Sequence, residues 1–135
     1  MAFSVNQKVL FRHCDPAGIV FYPRYYEMMN DCVEEFFDKT LGFPFNELHE
    51  VGGVPTAKIE TKFCAPSRQG DLLEIVLRCL RLGNSSLSIR ITARCGEELR
   101  FQSDSTLVFT DRSGRPQSWH AKVAQLLAKC VKEDC

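Results

Sequence analysis

The sequence lacks the features that mark several large classes of protein. Its 17 basic and 17 acidic side chains cancel, so no overall charge attracts it to nucleic acid or to an anionic membrane. No apolar run approaches the roughly 20 residues that a membrane-spanning helix requires. The amino terminus shows no basic segment followed by an apolar one, so we expect no secretory signal. These absences predict a cytoplasmic protein without a nucleic-acid or membrane partner.

Motifs that bind metals or cofactors are missing as well. The 135 residues contain no CxxC pair, no GxGxxG or P-loop pattern and no GxSxG element. The seven cysteines stand at positions 14, 32, 64, 79, 95, 130 and 135. Because their number is odd and no export signal precedes them, we expect reduced thiols that mostly fill the core. The sequence therefore predicts no metal site and no bound cofactor.

The first third of the chain predicts a strand followed by a long helix. Residues 4–12 alternate as in a half-buried strand, with three inward positions at Val5, Val9 and Phe11. From Tyr22 to about Lys39 the apolar residues follow helical spacing, and the opposite stripe is acidic. The apolar positions are Tyr22, Tyr25, Met29, Cys32, Val33, Phe36 and Phe37, and the acidic ones are Glu27, Asp31, Glu34 and Asp38.

The rest of the chain mostly has the period of two that is typical of strands. Alternation predicts strands over residues 57–63, 71–82, 86–95 and 98–110, and helical spacing predicts a final helix over 118–131. Residues 45–50 show no clear pattern. Because the later connections are short, the four strands are expected to form an antiparallel meander with the long helix across one face. The result is a single α+β domain over residues 1–135, and a sheet of this size favours burial across subunits in a homo-oligomer.

The segment from His13 to Tyr26 combines a carboxylate with residues that restrict the backbone. Pro16 biases Asp15 toward an extended conformation, and Gly18 permits a turn or a close approach to a ligand. Pro23 suits the first turn of a helix, where its missing N–H is not needed. Asp15 thus stands before the free N–H groups of a helix start, which makes this segment the candidate reaction centre.

Two interpretations of Asp15 remain open at this point. It can brace the turn, because Asp is common where turns begin. It can also act chemically, since an ionised carboxylate attacks a carbonyl or orients a water molecule. Such a group has no proton to donate, so the reaction needs a good leaving group, and a thiol, with a pKa of about 8.5, provides one. Thioester hydrolysis meets this requirement, with backbone N–H groups near Tyr22 as donors to the oxyanion.

The neighbours of Asp15 offer weaker alternatives. Cys14 follows His13, but adjacent side chains on an extended segment point to opposite faces, so a Cys–His pair is not expected. His13 and Asp15 can share a face, yet two ligands make a weak metal site. His49 and His120 are isolated in the sequence. Among the outward arginines, one or two could hold the phosphates of a nucleotide-bearing substrate.

The stretch CDPAGIVFYP at residues 14–23, followed by Tyr25, resembles the signature of the 4-hydroxybenzoyl-CoA thioesterase family. The resemblance implies a hotdog fold, in which a five-stranded antiparallel sheet wraps around a long central helix. It also implies active sites between the subunits of a dimer or homotetramer. Pro23 stands where related acyl-CoA thioesterases carry His, which indicates the hydroxybenzoyl type. Residues 83–85, Gly-Asn-Ser, stand where that type has a basic cluster for the CoA phosphates.

The resemblance also implies roles for individual residues. By position, Asp15 matches the catalytic nucleophile or general base, and Tyr22 matches the residue whose backbone amide polarises the thioester carbonyl. Gly18, Phe21 and Tyr25 are expected to contact the substrate. That substrate is an aryl- or other acyl-CoA, in which CoA is a part of the substrate and not a cofactor.

Two other functions on the same fold remain open. One is a non-catalytic module that binds acyl-CoA, which the missing basic cluster at residues 83–85 favours slightly. The other is a dehydratase, which needs a proton-transferring His beside a carboxylate. His13 is the only candidate near Asp15 for that role.

Overall fold

The computed structural model describes residues 2–133 as helices packed on an antiparallel sheet. The helices are α1 (Tyr22–Lys39), α2 (Phe45–Val51) and α3 (Ala121–Glu133). The strands are β1 (Phe3–Lys8), β2 (Gly52–Gly53), β3 (Thr56–Phe63), β4 (Leu72–Leu82), β5 (Ser86–Cys95), β6 (Glu98–Val108) and β7 (Thr110–Asp111), and a 3-10 turn covers Phe11–His13. None of the helices described here is long and apolar enough to cross a membrane.

The main sheet has five antiparallel strands in the order β1-β4-β5-β6-β3. The α+β class and the antiparallel sheet are as predicted. The four-strand meander is wrong for β3, which pairs with β6 at the far edge, Phe63 opposite Phe101. The physical reason is that β1 occupies the free side of β4, with Phe3 opposite Leu77. Residues 64–71 therefore cross the end of the sheet instead of forming the predicted hairpin connection.

Helix α1 packs on one face of the sheet because its apolar stripe and the inward strand residues form a single core. Phe36 contacts Phe3 of β1 with 5.7 Å between the ring centroids, and Phe37 is completely buried. The strand β5 alternates as predicted, with buried positions at Leu87, Ile89, Ile91 and Ala93. The acidic stripe of α1 is exposed, as predicted. Burying one large apolar side chain contributes about 1.5–3 kcal/mol, so this shared core holds the helix in place.

Three local features differ from the sequence predictions. The first strand ends at Lys8 because the chain enters the 3-10 turn, and Phe11, predicted to face inward, is 80% exposed. Residues 45–50 belong to the short helix α2. The last strand stops at Val108, since the next N–H, that of Phe109, donates to the Ser85 carbonyl instead (2.7 Å). The chain then continues as the short strand β7, which pairs with β2.

The cysteines are thiols in the part of the chain that the structure describes. Six of them lie within residues 2–133, and no disulfide joins them. The seventh, Cys135, lies outside the described residues. Burial raises the pKa of the Cys32 thiol to about 12, with smaller contributions from Glu35 and Asp31, so this group stays protonated at neutral pH.

Gly52 joins α2 to β2 at a point without room for a side chain. A Cβ there would overlap the Thr110 carbonyl oxygen, whereas a Cβ at Gly53 would have its nearest neighbour, Thr110 Oγ1, at 3.5 Å. We expect Gly52→Ala to lower the free energy of unfolding by about 1–3 kcal/mol, because the clash forces the backbone of β7 to move. Gly53→Ala is the matched control and should cost less. Urea unfolding measures both, and equal losses would contradict the steric argument.

Candidate active site

The Asp15 segment folds into a tight turn that holds the carboxylate through the backbone. Cys14 and Val20 face each other in an antiparallel bridge. Between them the Gly18 N–H donates to the Asp15 carbonyl (2.9 Å), and Gly18 adopts a left-handed φ of 81°. The Ala17 N–H donates to Asp15 Oδ1 (2.9 Å), as expected for a bracing role. The other oxygen, Oδ2, has no hydrogen-bond partner among residues 2–133, so the same carboxylate also has an oxygen available for chemistry.

Helix α1 begins directly after this turn with an unsatisfied backbone donor. The preceding residue, Phe21, has an extended backbone, and its side chain does not cap the helix. The Tyr22 N–H has no acceptor within the described residues 2–133, and Pro23 has no N–H at all. The start of a helix carries a partial positive charge. It can therefore stabilise a negatively charged oxygen beside the Asp15 turn.

Main-chain hydrogen bonds hold the turn from two sides. The Val20 N–H donates to the Ser67 carbonyl (2.8 Å), and Ile19 forms an antiparallel bridge with Arg68, so one side rests on the connection between β3 and β4. On the other side the Phe21 N–H donates to the His13 carbonyl (2.9 Å). Neither anchor uses the Asp15 side chain, which leaves the carboxylate to be oriented by the turn alone.

Aromatic rings surround the start of α1. Phe63, at the end of β3, contacts Tyr22, Tyr25 and Tyr26, with centroid distances of 5.9, 5.9 and 6.2 Å. Phe21 lies edge-on to Tyr22 at 5.8 Å. Phe21, Tyr22 and Phe63 are each about half exposed and form one apolar surface. Phe63 was not predicted as a site residue, although its apolar position in the alternation of residues 57–63 was a usable signal.

A buried polar network behind these rings also escaped the sequence analysis. Arg100 lies at a bulge of β6, where the register with β5 shifts, and the bulge turns the guanidinium inward. Its Nη1 lies 2.7 Å from Asp71 Oδ2 and 3.1 Å from Ser67 Oγ. The Tyr25 hydroxyl donates to the same Ser67 Oγ (2.8 Å). The hydrogen bond from Arg100 holds the pKa of Asp71 below its usual range, so the pair is ionised at neutral pH.

The residues expected to contact substrate fall into two groups. Gly18 and Phe21 are exposed beside the turn, and Arg68 Nη1 lies 4.0 Å from where a Cβ at Gly18 would be. Tyr25 is only 4% exposed, and its ring packs on Phe63 and Phe101. A direct contact between Tyr25 and substrate therefore stays a prediction.

His13 supports the turn from inside the protein. Its ring is buried, and Nδ1 accepts the Leu10 N–H (2.9 Å), which assigns the proton of the neutral ring to Nε2. The expected extended backbone is wrong at His13, which lies in the 3-10 turn, whereas Cys14 is extended as predicted and its thiol lies 3.7 Å from the Leu10 carbonyl. Within residues 2–133 no group of three or more His, Cys, Asp or Glu side chains is arranged to hold a metal ion.

A family comparison covers most of the elements just described. A sequence profile described as Thioesterase superfamily matches residues 17–101, which is more than half of the chain. The matched range includes Tyr22, the aromatic rings and strands β3 to β5, and it begins two residues after Asp15. A search of curated protein sequences gives no significant match.

Solved structures share the fold of this chain at low sequence identity. A gentisyl-coenzyme A thioesterase is 25% identical with a TM-score of 0.82, covering 93% of this chain and 98% of its own. A 1,4-dihydroxy-2-naphthoyl-CoA thioesterase from Synechocystis is 14% identical with a TM-score of 0.86, covering 95% and 96%. A hypothetical protein from Staphylococcus aureus, solved in complex with CoA, is 16% identical with a TM-score of 0.91, covering 98% and 85%. At 14% and 16% identity, the latter two structures show similarity of fold alone.

His13 should make stability depend on pH. Burial, assisted by the charge of Arg12 and opposed by those of Glu27 and Asp31, lowers the pKa of His13 in the folded chain. As pH falls below about 6.5, the unfolded chain takes up this proton first, so the free energy of unfolding decreases. In His13→Asn the amide oxygen can accept the Leu10 N–H without titrating. We expect the variant to lose less stability than the wild type between about pH 7.5 and pH 5.5.

Urea unfolding at the two pH values checks this prediction. Equal losses in the wild type and in His13→Asn would show that the pH dependence has another source. An unchanged unfolding slope in the variant would show that the fold is retained.

Proposed function

The chain belongs to the thioesterase superfamily and has the hotdog fold, and from this premise we propose that it hydrolyses an acyl-CoA thioester to the free acid and CoA. One observation carries the proposal. A carboxylate with a free oxygen is held in a turn directly before a helix whose first N–H has no acceptor within residues 2–133. The two groups needed for attack on a thioester and for stabilising its oxyanion thus come from one short segment.

Asp15 supplies the reactive side chain in this proposal. As a nucleophile, Oδ2 bonds to the carbonyl carbon, the C–S bond breaks, CoA leaves as a thiolate, and water then hydrolyses the mixed anhydride. As a general base, the carboxylate takes a proton from the water that attacks the same carbon. In both routes the leaving group departs without a strong proton donor, because a thiolate, the conjugate base of a thiol with a pKa of about 8.5, is a weak base and leaves readily.

Tyr22 supplies a backbone donor and not its side chain. As the carbonyl carbon becomes tetrahedral, negative charge develops on its oxygen. The Tyr22 N–H and the positive end of α1 stabilise that charge in a fixed orientation. Loss of one such donor typically costs about 100-fold to 1,000-fold in rate.

A groove beside the aromatic rings provides room for the acyl group. It has a volume of about 650 Å³ and lies between α1, α2, β3 and the inner face of the sheet. Tyr26, which contacts Phe63, forms part of one wall, and apolar surface comes from Ile59, Ile91 and Leu107. An aryl group matches the aromatic wall, and the volume also accepts other acyl groups.

CoA enters the proposal as part of the substrate. Two of the structural neighbours are named as CoA thioesterases, and a third was solved with CoA. A non-catalytic acyl-CoA-binding protein on this fold is the second candidate, because residues 83–85 lack basic side chains. A dehydratase has less support, since His13 is buried and its Nδ1 is already occupied by the Leu10 N–H.

We also propose a homo-oligomer, a dimer or tetramer, built on the edge strand β3. This strand is eight residues long and exposes side chains on both faces, and within residues 2–133 it has a strand partner on one side only. Ile59 and Phe63 are each 45% exposed there. A long edge with exposed apolar residues is a favourable template for pairing with a second copy.

Replacing Asp15 by asparagine tests its role in catalysis. Asp15→Asn keeps an oxygen that can accept the Ala17 N–H, so the turn should fold as before while the nucleophile or base is lost. We expect thiol release from acyl-CoA to fall by at least about 100-fold. The measurement is a thiol-release assay with aryl-, short-chain and long-chain acyl-CoA.

Asp111→Asn is the matched control for this experiment. Asp111 also braces a turn, accepting the Ser113 and Arg115 N–H groups through Oδ1, but it lies in β7, outside the proposed site. Its variant should keep wild-type turnover. Wild-type turnover in Asp15→Asn would refute the proposed mechanism, and acyl-CoA binding by the wild type without thiol release would favour the non-catalytic alternative.

A further prediction concerns assembly. Ile59→Glu places a charge at the exposed apolar centre of β3 and should shift the protein toward monomers, because the charge would have to be desolvated on pairing. Lys58→Glu introduces the same charge on the other face of the strand and should have a smaller effect. Light scattering coupled to size-exclusion chromatography measures the mass. A monomeric wild type would exclude the proposed oligomer.

A further inference from the structure

Ser67 is completely buried and bonds to three separate parts of the fold. Its Oγ accepts the Tyr25 hydroxyl (2.8 Å) and lies 3.1 Å from Arg100 Nη1. Its carbonyl accepts the Val20 N–H (2.8 Å). A short loop between two strands therefore contacts the helix, the Asp15 turn and the sheet through one residue.

Two of these contacts lead directly to the proposed catalytic groups. Tyr25 lies in the first turn of α1, three residues after Tyr22, so its hydroxyl fixes the helix start against the loop. Val20 closes the Asp15 turn through its bridge with Cys14. Ser67 thus joins the segment that carries the carboxylate to the segment that carries the oxyanion donor.

The third contact, with Arg100, holds Ser67 in place on the sheet. Besides Ser67, Arg100 Nη1 lies 3.1 Å from the Pro66 carbonyl and 2.7 Å from Asp71 Oδ2. The Arg100 carbonyl accepts the N–H groups of Cys64 (2.8 Å) and Ala65 (3.3 Å). The loop is therefore held to β6 on both sides of Ser67, and displacement of Ser67 would disturb several bonds at once.

We propose that Ser67 is a positioning residue for thioester hydrolysis, which sets the placement of the Asp15 carboxylate relative to the Tyr22 N–H. The proposal rests on the function proposed above. Attack on a carbonyl requires the nucleophile and the oxyanion donor to address the same group at once, and a misplacement of about 1 Å can cost about 100-fold in rate. Ser67 touches neither substrate nor reacting atoms and acts through Tyr25 and Val20.

The chemistry of the site explains why a hydroxyl is needed at this position. The oxygen accepts two hydrogen bonds, from a phenol and a guanidinium, which its two lone pairs allow. Alanine offers no acceptor, and threonine adds a methyl group where Ser67 has no exposed surface. The position is therefore specific for a small acceptor.

The test compares Ser67→Ala with Ser103→Ala. Ser103 is also buried, and its Oγ bonds to Thr61 Oγ1 at 2.8 Å between β6 and β3, away from the Asp15 turn. Both variants lose one buried hydroxyl, and the melting temperature should fall more in Ser67→Ala, because Ser67 Oγ accepts two hydrogen bonds and Ser103 Oγ has one, to Thr61. Tyr25→Phe is a second variant that keeps the ring on Phe63 and Phe101 and removes only the bond to Ser67.

We expect Ser67→Ala and Tyr25→Phe to lower kcat about 10-fold to 100-fold with little change in KM, because the substrate still binds while the reacting groups are misaligned. Ser103→Ala should keep wild-type kcat. The double variant Tyr25→Phe/Ser67→Ala should be no slower than Ser67→Ala, since both single changes remove the hydrogen bond between the Tyr25 hydroxyl and Ser67 Oγ. Hydrogen exchange of residues 14–22 should be faster in Ser67→Ala and unchanged in Ser103→Ala.

The outcomes that would refute the positioning role of Ser67 can be distinguished from failure of the proposed function. If Asp15→Asn abolishes hydrolysis while Ser67→Ala keeps wild-type kcat, or loses no more than Ser103→Ala, the positioning role is refuted and the function stands. A rise in KM alone for Tyr25→Phe would assign Tyr25 to the substrate and overturn the proposal. If the wild type releases no thiol, hydrogen exchange still decides: unchanged exchange of residues 14–22 in Ser67→Ala refutes the role.

Discussion

The proposed site depends on the hydrogen bonds and the ion pair that the buried Arg100 guanidinium makes. Because β3 lies beside β6 and not beside β4, residues 64–71 cross the end of the sheet outside its regular strand ladder. Arg100 replaces the missing ladder, binding this connection through its side chain and its carbonyl. The connection in turn carries the Asp15 turn. Because the Arg100 side chain is buried, removing its partner Asp71 would leave a poorly solvated charge without this ion pair, which is costly.

The roles of the groups in the proposed site follow from the way Arg100 holds residues 64–71. In the proposed site the scaffold positions backbone groups, namely the Tyr22 N–H and the carbonyls of Ser67 and His13, and Asp15 is the side chain proposed to react. Around them, the exposed rings of Phe21 and Phe63 provide apolar surface without chemistry of their own. Such a site suits a substrate whose leaving group departs without being protonated, as the thiolate of a thioester does.

Local patterns in the sequence were sufficient for the parts of the fold that local physics determines. Helix α1 and strand β5 follow their periodicities, and the family resemblance pointed to the hotdog fold that the comparisons support. The position of β3 depends on β1 taking the edge of β4, which no pattern within β3 reveals. Arg100 breaks the alternation of β6, being buried directly before buried Phe101, so alternation assigned it no role. The roles that the resemblance gave to Asp15 and Tyr22 stay predictions, whereas Ser67 became visible only through contacts far apart in the chain.

The bulge that aims Arg100 has a consequence for how this protein can vary in length. A bulge is one extra residue on one strand, so deleting that residue would leave β6 a regular strand with its pairing intact. The unpaired residue is Arg100 itself, so the sheet would accept a shorter chain, but the guanidinium that holds the connection would be lost. Loss of a single residue in the middle of a strand, normally the most damaging kind of deletion, would here spare the scaffold and remove the support of the site.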